Sequence, residues 1–172
     1  RIGKAYRKEI ARICRERGIS LASHDDATAE HVDEAVEDGI VIAEFPTTVE
    51  AAKASREKGL HVLMGSPNVV RGFSHSGNVS ARDLARQGLL DTLSSDYVPN
   101  SLLHSAFILA DIVETIDLPR ALAMVSTNPA DAAKLCDRGE IAVGKRADLV
   151  QVKQLEETPL VRQVWREGTR VV

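Results

Sequence analysis

The sequence is poor in cysteine, in aromatic residues and in net charge. Its 172 residues include two cysteines, one tryptophan, two tyrosines and three phenylalanines. Cys14 and Cys136 lie far apart and form no CxxC pair, so two reduced thiols are expected rather than a thiolate metal site or a disulfide framework. Lysine and arginine number 22 against 25 aspartates and glutamates, a net charge of −3 with histidine neutral. That balance excludes the basic surface of a dedicated nucleic-acid binder, although a local anion site is compatible with it. No apolar run approaches the ~20 residues of a membrane-spanning helix, so no membrane partner is expected. There is no low-complexity tract and no linker rich in proline or serine. The first residues are charged and helical in pattern, unlike a signal peptide, and a cytoplasmic protein is expected. The chain opens at Arg1, without methionine, inside that helical pattern, as a piece of a longer protein or a processed product would.

Hydrophobic residues make up 44% and charged residues 27% of the chain, the composition of a soluble globular protein. Length predicts one domain, or one domain with a small appendage. Ile2, Tyr6, Ile10 and Ile13 follow a helical period over 1–17, and Gly18 ends that helix. A strand candidate at 19–23 runs into His24-Asp25-Asp26. Thr28 caps a helix to about Asp38, ended by Gly39. The continuous apolar run Ile40-Val41-Ile42-Ala43 is typical of a buried parallel strand and runs into Glu44. A helix to Lys58 follows, then a strand over 60–64 and a long polar loop from Gly65 to Val79. Ser80 opens a helix to about Gln87. A strand over 90–93 runs into Ser94-Ser95-Asp96. Helices are expected after Pro99 and over 118–125.

Four strand-then-helix units with a glycine at each return imply a parallel sheet with right-handed crossovers. The ionisable residues gather at the C-terminal ends of the strands: His24, Asp25 and Asp26; Glu44; Asn68, Arg71 and His75; Asp96. The catalytic face of a (β/α)8 barrel has that asymmetry, and open doubly wound sheets also bind ligands there. Four units are half a barrel, so the expected fold is α/β, half of a (β/α)8 TIM barrel over 1–127. The segment 128–172 reads differently. A short helix opens at Asn128-Pro129, and brief apolar stretches at Ile141, 149–152 and 161–165 read as antiparallel strands beside the barrel.

The tail Thr127-Asn128-Pro129-Ala130-Asp131-Ala132-Ala133-Lys134-Leu135, with Gly139-Glu140-Ile141-Ala142-Val143-Gly144-Lys145-Arg146-Ala147-Asp148-Leu149-Val150, resembles the C-terminal signature of the amidohydrolase superfamily. The resemblance implies the C-terminal half of a metal-dependent barrel, with 128–172 forming part of a small composite β-domain. Three further stretches narrow it: Ala22-Ser23-His24-Asp25-Asp26-Ala27-Thr28, the loop Gly65–Ser80, and Leu93-Ser94-Ser95-Asp96-Tyr97-Val98-Pro99. They are similar to the diphosphatases of phosphonate catabolism within that superfamily. The similarity runs over nearly the whole chain but matches only the second half of such a protein. The His-x-His motif and the bridging ligand of the first half are absent. Phe73 stands where a loop glycine is expected.

The resemblance implies a divalent metal, zinc or manganese, with His24 as a ligand and Asp96 as a ligand that also takes a proton from the attacking water. A neutral imidazole suits such a metal, and a nearby carboxylate fixes its tautomer. Glu44 stands where many relatives with two metals carry a histidine, and it reads equally as a ligand, as a group positioning a metal water, or as a plain strand-end carboxylate. Arg71 offers a planar fork for phosphate oxygens. Asn68, Ser74, Ser76 and Asn78 add neutral polar groups for a substrate. His75 reads as a ligand, a general acid or a phosphate contact. His31, His61 and His104 read as structural. Lys145 and Arg146 are expected to face solvent, and the basic first helix to be a solvated outer helix.

The implied reaction is hydrolysis of a small phosphorylated sugar phosphonate: a ribosyl phosphonate 5-triphosphate is cut to the 5-phosphate and pyrophosphate. Two rival readings remain. One is a C–N hydrolase of the same superfamily, a deaminase or cyclic amidase. The other is a truncated, non-catalytic chain that forms a homo-oligomer or requires a missing N-terminal half.

Overall fold

The computed structural model describes residues 2–74, 76–155 and 158–172. Its first part alternates helix and strand: α1 (Ile2–Glu16), β1 (Ala22–His24), α2 (Ala29–Glu37), β2 (Ile42–Glu44), α3 (Val49–Glu57), β3 (His61–Gly65), α4 (Ser66–Arg71), α5 (Ala81–Arg86), β4 (Thr92–Ser94), α6 (Ser101–Ile112), α7 (Leu118–Ala123) and α8 (Thr127–Ala132). The four strands pair in sequence order, all parallel. A second sheet holds β5 (Leu149–Gln154), β6 (Pro159–Arg166) and β7 (Thr169–Arg170), all antiparallel. This is the expected α/β architecture of a partial barrel with a small β-sheet beside it.

Local chemistry explains the returns. Thr48 accepts a hydrogen bond from Ala51 N at 3.0 Å, and Thr28 from His31 N at 3.4 Å, so each hydroxyl satisfies a free amide of the first helical turn. The helix-covered face of the sheet carries Ala43, Val62, Met64 and Leu93. They pack against Val32, Ala51, Ala52, Leu84, Leu109 and Met124 in two apolar clusters. Side chains alternate along a strand, so Ala22, His24, Ile42, Glu44, His61, Leu63 and Thr92 share the other face. In a closed barrel that face is the interior.

Three expectations need correction. The segment 65–79 is not a continuous loop: α4 follows β3 at once, with Gly65 as its N-cap and Pro67 in its first turn, where the missing amide costs nothing. Ile141 is not in a strand; it and Val143 are exposed, at 89% and 107%. Lys145 and Arg146 do not simply face solvent. Lys145 donates to the Cys136 carbonyl at 2.6 Å, and Arg146 pairs with Asp148 at 2.8 Å and Glu167 at 3.2 Å, tying the tail turn to the second sheet.

No helix among the described residues is long and apolar enough to cross a membrane.

Candidate active site

All four parallel strands end at one edge of the sheet, and the candidate residues collect there. Asp25, at φ 59°, directly follows β1, Phe45, at 54°, directly follows β2, and Asp96, at 49°, lies two residues beyond β4. These are left-handed conformations that non-glycine residues rarely adopt, least of all a bulky aromatic. Pairing with the next strand holds the first two in place: Asp25 N donates to Glu44 O at 3.1 Å and Phe45 N to Leu63 O at 2.9 Å. The strained backbone turns all three residues into the wall of a single cavity of about 110 Å³. Asn68, Arg71, Ser74, Ser76 and Asn78 line the same cavity. Strain of this kind persists where the surrounding structure over-determines it, commonly at functional sites.

Six of the nine residues expected from the sequence therefore share one cavity: Asp96 with Asn68, Arg71, Ser74, Ser76 and Asn78. His24 and Glu44 form a pair beside it, His24 Nδ1 lying 2.9 Å from Glu44 Oε2. Phe45 connects the two groups: it lines the cavity, and its ring meets His24 edge-on at 5.4 Å. The ninth residue, His75, lies outside the described residues.

The His24–Glu44 contact assigns chemistry to both partners. With Glu44 ionised, Nδ1 carries the proton and donates, which leaves Nε2 with a free lone pair. The Glu44 hydrogen bond also holds the imidazolium above the usual histidine range, against the smaller opposing effect of burial. Asp25 Oδ2 stands 3.6 Å from Nε2, too far for a hydrogen bond. The carboxylate hydrogen-bonded to His24 is thus that of the neighbouring strand, not of the adjacent residues in sequence.

Arg71 is steadied by Tyr97, which follows Asp96. A guanidinium nitrogen donates to the Tyr97 hydroxyl, and the guanidinium carbon lies 5.7 Å from the ring centroid. Gly65 leaves room for Asp96: a Cβ there would sit 3.0 Å from Asp96 Oδ2. Sequence reasoning gave no role to Tyr97 and Phe45, whose only signal was adjacency to Asp96 and Glu44, and it placed Asp25 only among the ionisable residues at the strand ends.

Among the described residues the cavity wall carries one guanidinium, Arg71, and two carboxylates, Asp25 and Asp96. A polyphosphate entering it meets net repulsion unless a cation accompanies it. The donor types suit a divalent metal, since His24 Nε2 and the Asp96 carboxylate are both competent ligands. They are too few to enclose one: among the described residues no group of three His, Cys, Asp or Glu side chains is placed to hold a metal ion.

Comparison with known proteins agrees with this architecture. The Amidohydrolase family profile matches residues 3–172, and the chain belongs to that family. Its relatives include the alpha-D-ribose 1-methylphosphonate 5-triphosphate diphosphatase of Escherichia coli K12, 57% identical over 96% of this chain and 44% of that protein. An imidazolonepropionase of Deinococcus deserti is 34% identical over 72% of this chain and 36% of that protein. The crystal structure of N-acetylglucosamine-6-phosphate deacetylase from Pasteurella multocida superposes with a TM-score of 0.68 at 16% identity, over 95% of this chain and 53% of that one. The chain thus spans less than half the length of the curated relatives it matches.

Proposed function

We propose that this chain is the substrate-holding and proton-handling portion of a metal-dependent diphosphatase. Its substrate would be alpha-D-ribose 1-methylphosphonate 5-triphosphate, which water cleaves to the 5-phosphate and pyrophosphate. The observation that carries the reading is the shared cavity of Arg71 and Asp96: a phosphate-binding fork and a strand-end carboxylate face one volume. The 57% identity to the E. coli diphosphatase gives the substrate class.

The residues divide the work. Arg71, held by Tyr97, pairs with phosphate oxygens of the triphosphate in a charge-assisted, forked geometry. Asn68, Ser74, Ser76 and Asn78 add neutral polar contacts. Asp96 accepts the proton of the attacking water and returns it to the leaving pyrophosphate. His24 offers Nε2, and Glu44 orients it. A divalent metal, zinc or manganese, would be held by His24 and Asp96 with further ligands from outside the described residues. Such a metal lowers the pKa of a bound water and neutralises phosphoryl charge. Residues 1–127 are the barrel portion and 128–172 the small β-domain portion of this assembly, which an N-terminal half completes. A cytoplasmic setting suits the two free cysteines. The C–N hydrolase reading gives Arg71 no comparable use.

The test is pyrophosphate release from the ribosyl phosphonate triphosphate, with zinc or manganese. It is run on the chain alone and on the chain co-expressed with the N-terminal part of the E. coli relative. Release in either arrangement, lost about a thousandfold in Asp96→Asn as expected for removal of a proton-transfer group, supports the proposal. Absence of release in both arrangements overturns it, and ammonia release from cyclic amides under the same conditions would favour the C–N reading.

A further inference from the structure

The helix α4 is short and ends in the residue that matters most for anion binding, so whatever stops it also places Arg71. Its last carbonyls have no partner within the helix. Arg82, from α5, supplies one: its Nε donates to Val69 O at 2.7 Å and its Nη2 to Val70 O at 3.1 Å. The two carbonyls immediately precede Arg71. On the other side of Arg71, Gly72 takes a left-handed φ of 87°. A Cβ on Gly72 would lie 3.1 Å from Arg82 Nη1, so the backbone passes directly over the guanidinium. Two more bonds close the neck of the loop: Ser80 Oγ donates to Gly72 O at 3.3 Å, and Ala81 N to Asn68 Oδ1 at 3.0 Å.

We propose that Arg82 is a positioning residue for polyphosphate recognition: its planar fork clamps the Val69 and Val70 carbonyls and so fixes where Arg71 leaves the backbone. The proposal rests on the reading of the cavity as a phosphate site, but adds a residue that lies outside its wall. Arg82 is committed to carbonyls on two of its nitrogens and is not among the residues that line the cavity. Lysine cannot replace it, because one ammonium lacks the two in-plane donors that the paired carbonyls receive.

The experiment uses the whole chain and two readouts. The first is the NMR signal of the Arg71 Nε–H group, assigned by its loss in Arg71→Ala. The second is calorimetric binding of tripolyphosphate with magnesium. Arg82→Gln and Arg82→Lys are each expected to shift and broaden the Arg71 signal. Both should weaken tripolyphosphate binding about tenfold, the effect of losing one well-placed charge-assisted contact. In an Arg71→Ala background, Arg82→Gln should add nothing to the loss, because it acts only through Arg71. An unchanged Arg71 signal in Arg82→Gln overturns the proposal, as does full additivity of the two losses. If the unaltered chain shows no tripolyphosphate binding, the phosphate reading of the cavity fails with it, whereas a shifted Arg71 signal would still establish the clamp. An unfolded Arg82→Gln would be recognised by loss of signal dispersion, and the clamp would then be judged on Arg82→Lys.

Discussion

His24 draws its properties from a carboxylate 20 residues away, at the matching register of the next strand. The Glu44 hydrogen bond raises its pKa above the ordinary 6.5. A folded-state pKa above the unfolded one means that protonated His24 favours the folded state. That contribution is complete below about pH 6.5 and disappears as pH rises through the folded value. The His24 side chain is 58% exposed, so solvent screening keeps the contribution within ~1 kcal/mol. Glu44→Gln should therefore lower the His24 midpoint toward 6.5 in an NMR titration of the metal-free chain, with little change in unfolding free energy. A midpoint that stays where it was would mean that Asp25, rather than Glu44, sets it. This residue pair also marks what a linear reading misses. The histidine and the two carboxylates next to it are obvious in sequence, but the hydrogen bond comes from Glu44 across the ladder, while Asp25 stands 3.6 Å from the other ring nitrogen.

At the scale of elements, glycine returns and threonine caps were legible, because capping and turn chemistry are local. Thr28 and Ser80 cap the helices expected of them, and Thr48 caps the helix between them without having been read as a cap. Strand limits were less so: β1 begins at Ala22, since Ile19 is exposed and Leu21 instead gives its carbonyl to Val41 and Ile42. α4 was not legible at all. Its sequence, Ser-Pro-Asn-Val-Val-Arg, has two β-branched residues and no period long enough to read, and its ending depends on Arg82, more than ten residues on. The candidate cavity was legible as a set of residue types, whereas its wall at Phe45 and the contact of Tyr97 with Arg71 are products of folding. Asp91 is a comparable long-range link. Its carboxylate accepts from Val62 N at 2.9 Å and Arg56 at 2.8 Å, while its carbonyl accepts from Asn128 at 2.7 Å, so β3, α3, the start of β4 and α8 meet on one residue. Asp91→Ala should cost about 2 kcal/mol in urea unfolding, because a part-buried amide loses its acceptor. Asp83→Ala, which breaks only the exposed pair with Arg86, should cost under about 0.5 kcal/mol. Equal costs would show that Asp91 is no more than a surface ion pair.

The whole molecule exposes more surface than its mass predicts. Its accessible area is 10436 Å², against about 8,300 Å² for a compact monomer of this size. The excess, on the order of 2,000 Å², includes the exposed tail turn, the largely exposed second sheet and the open β1 edge. The two edges of the parallel sheet are not equivalent. The β4 edge is closed by its own chain, with Leu93 N donating to Met124 O at 2.9 Å and Asn128 reaching Asp91 O. The β1 edge has no neighbouring strand among the described residues, and exposed Tyr6, Ile10 and Ile19 lie in or beside the adjoining α1. An open edge recruits another strand. With β4 closed, a copy of this chain has only its own β1 to offer. A union of two copies is then expected to be isologous, β1 against β1 about a two-fold axis, and to stop at a dimer instead of growing head to tail. Sedimentation over a range of concentrations should show a monomer–dimer equilibrium. Ala22→Lys, which puts a charge on the exposed edge strand, should shift it to monomer without loss of helical signal. Val143→Lys, in the exposed tail turn, should leave the equilibrium unchanged. A monomer at every concentration would mean that the β1 edge awaits a different strand. A shift produced by Val143→Lys alone would move the contact to the tail turn.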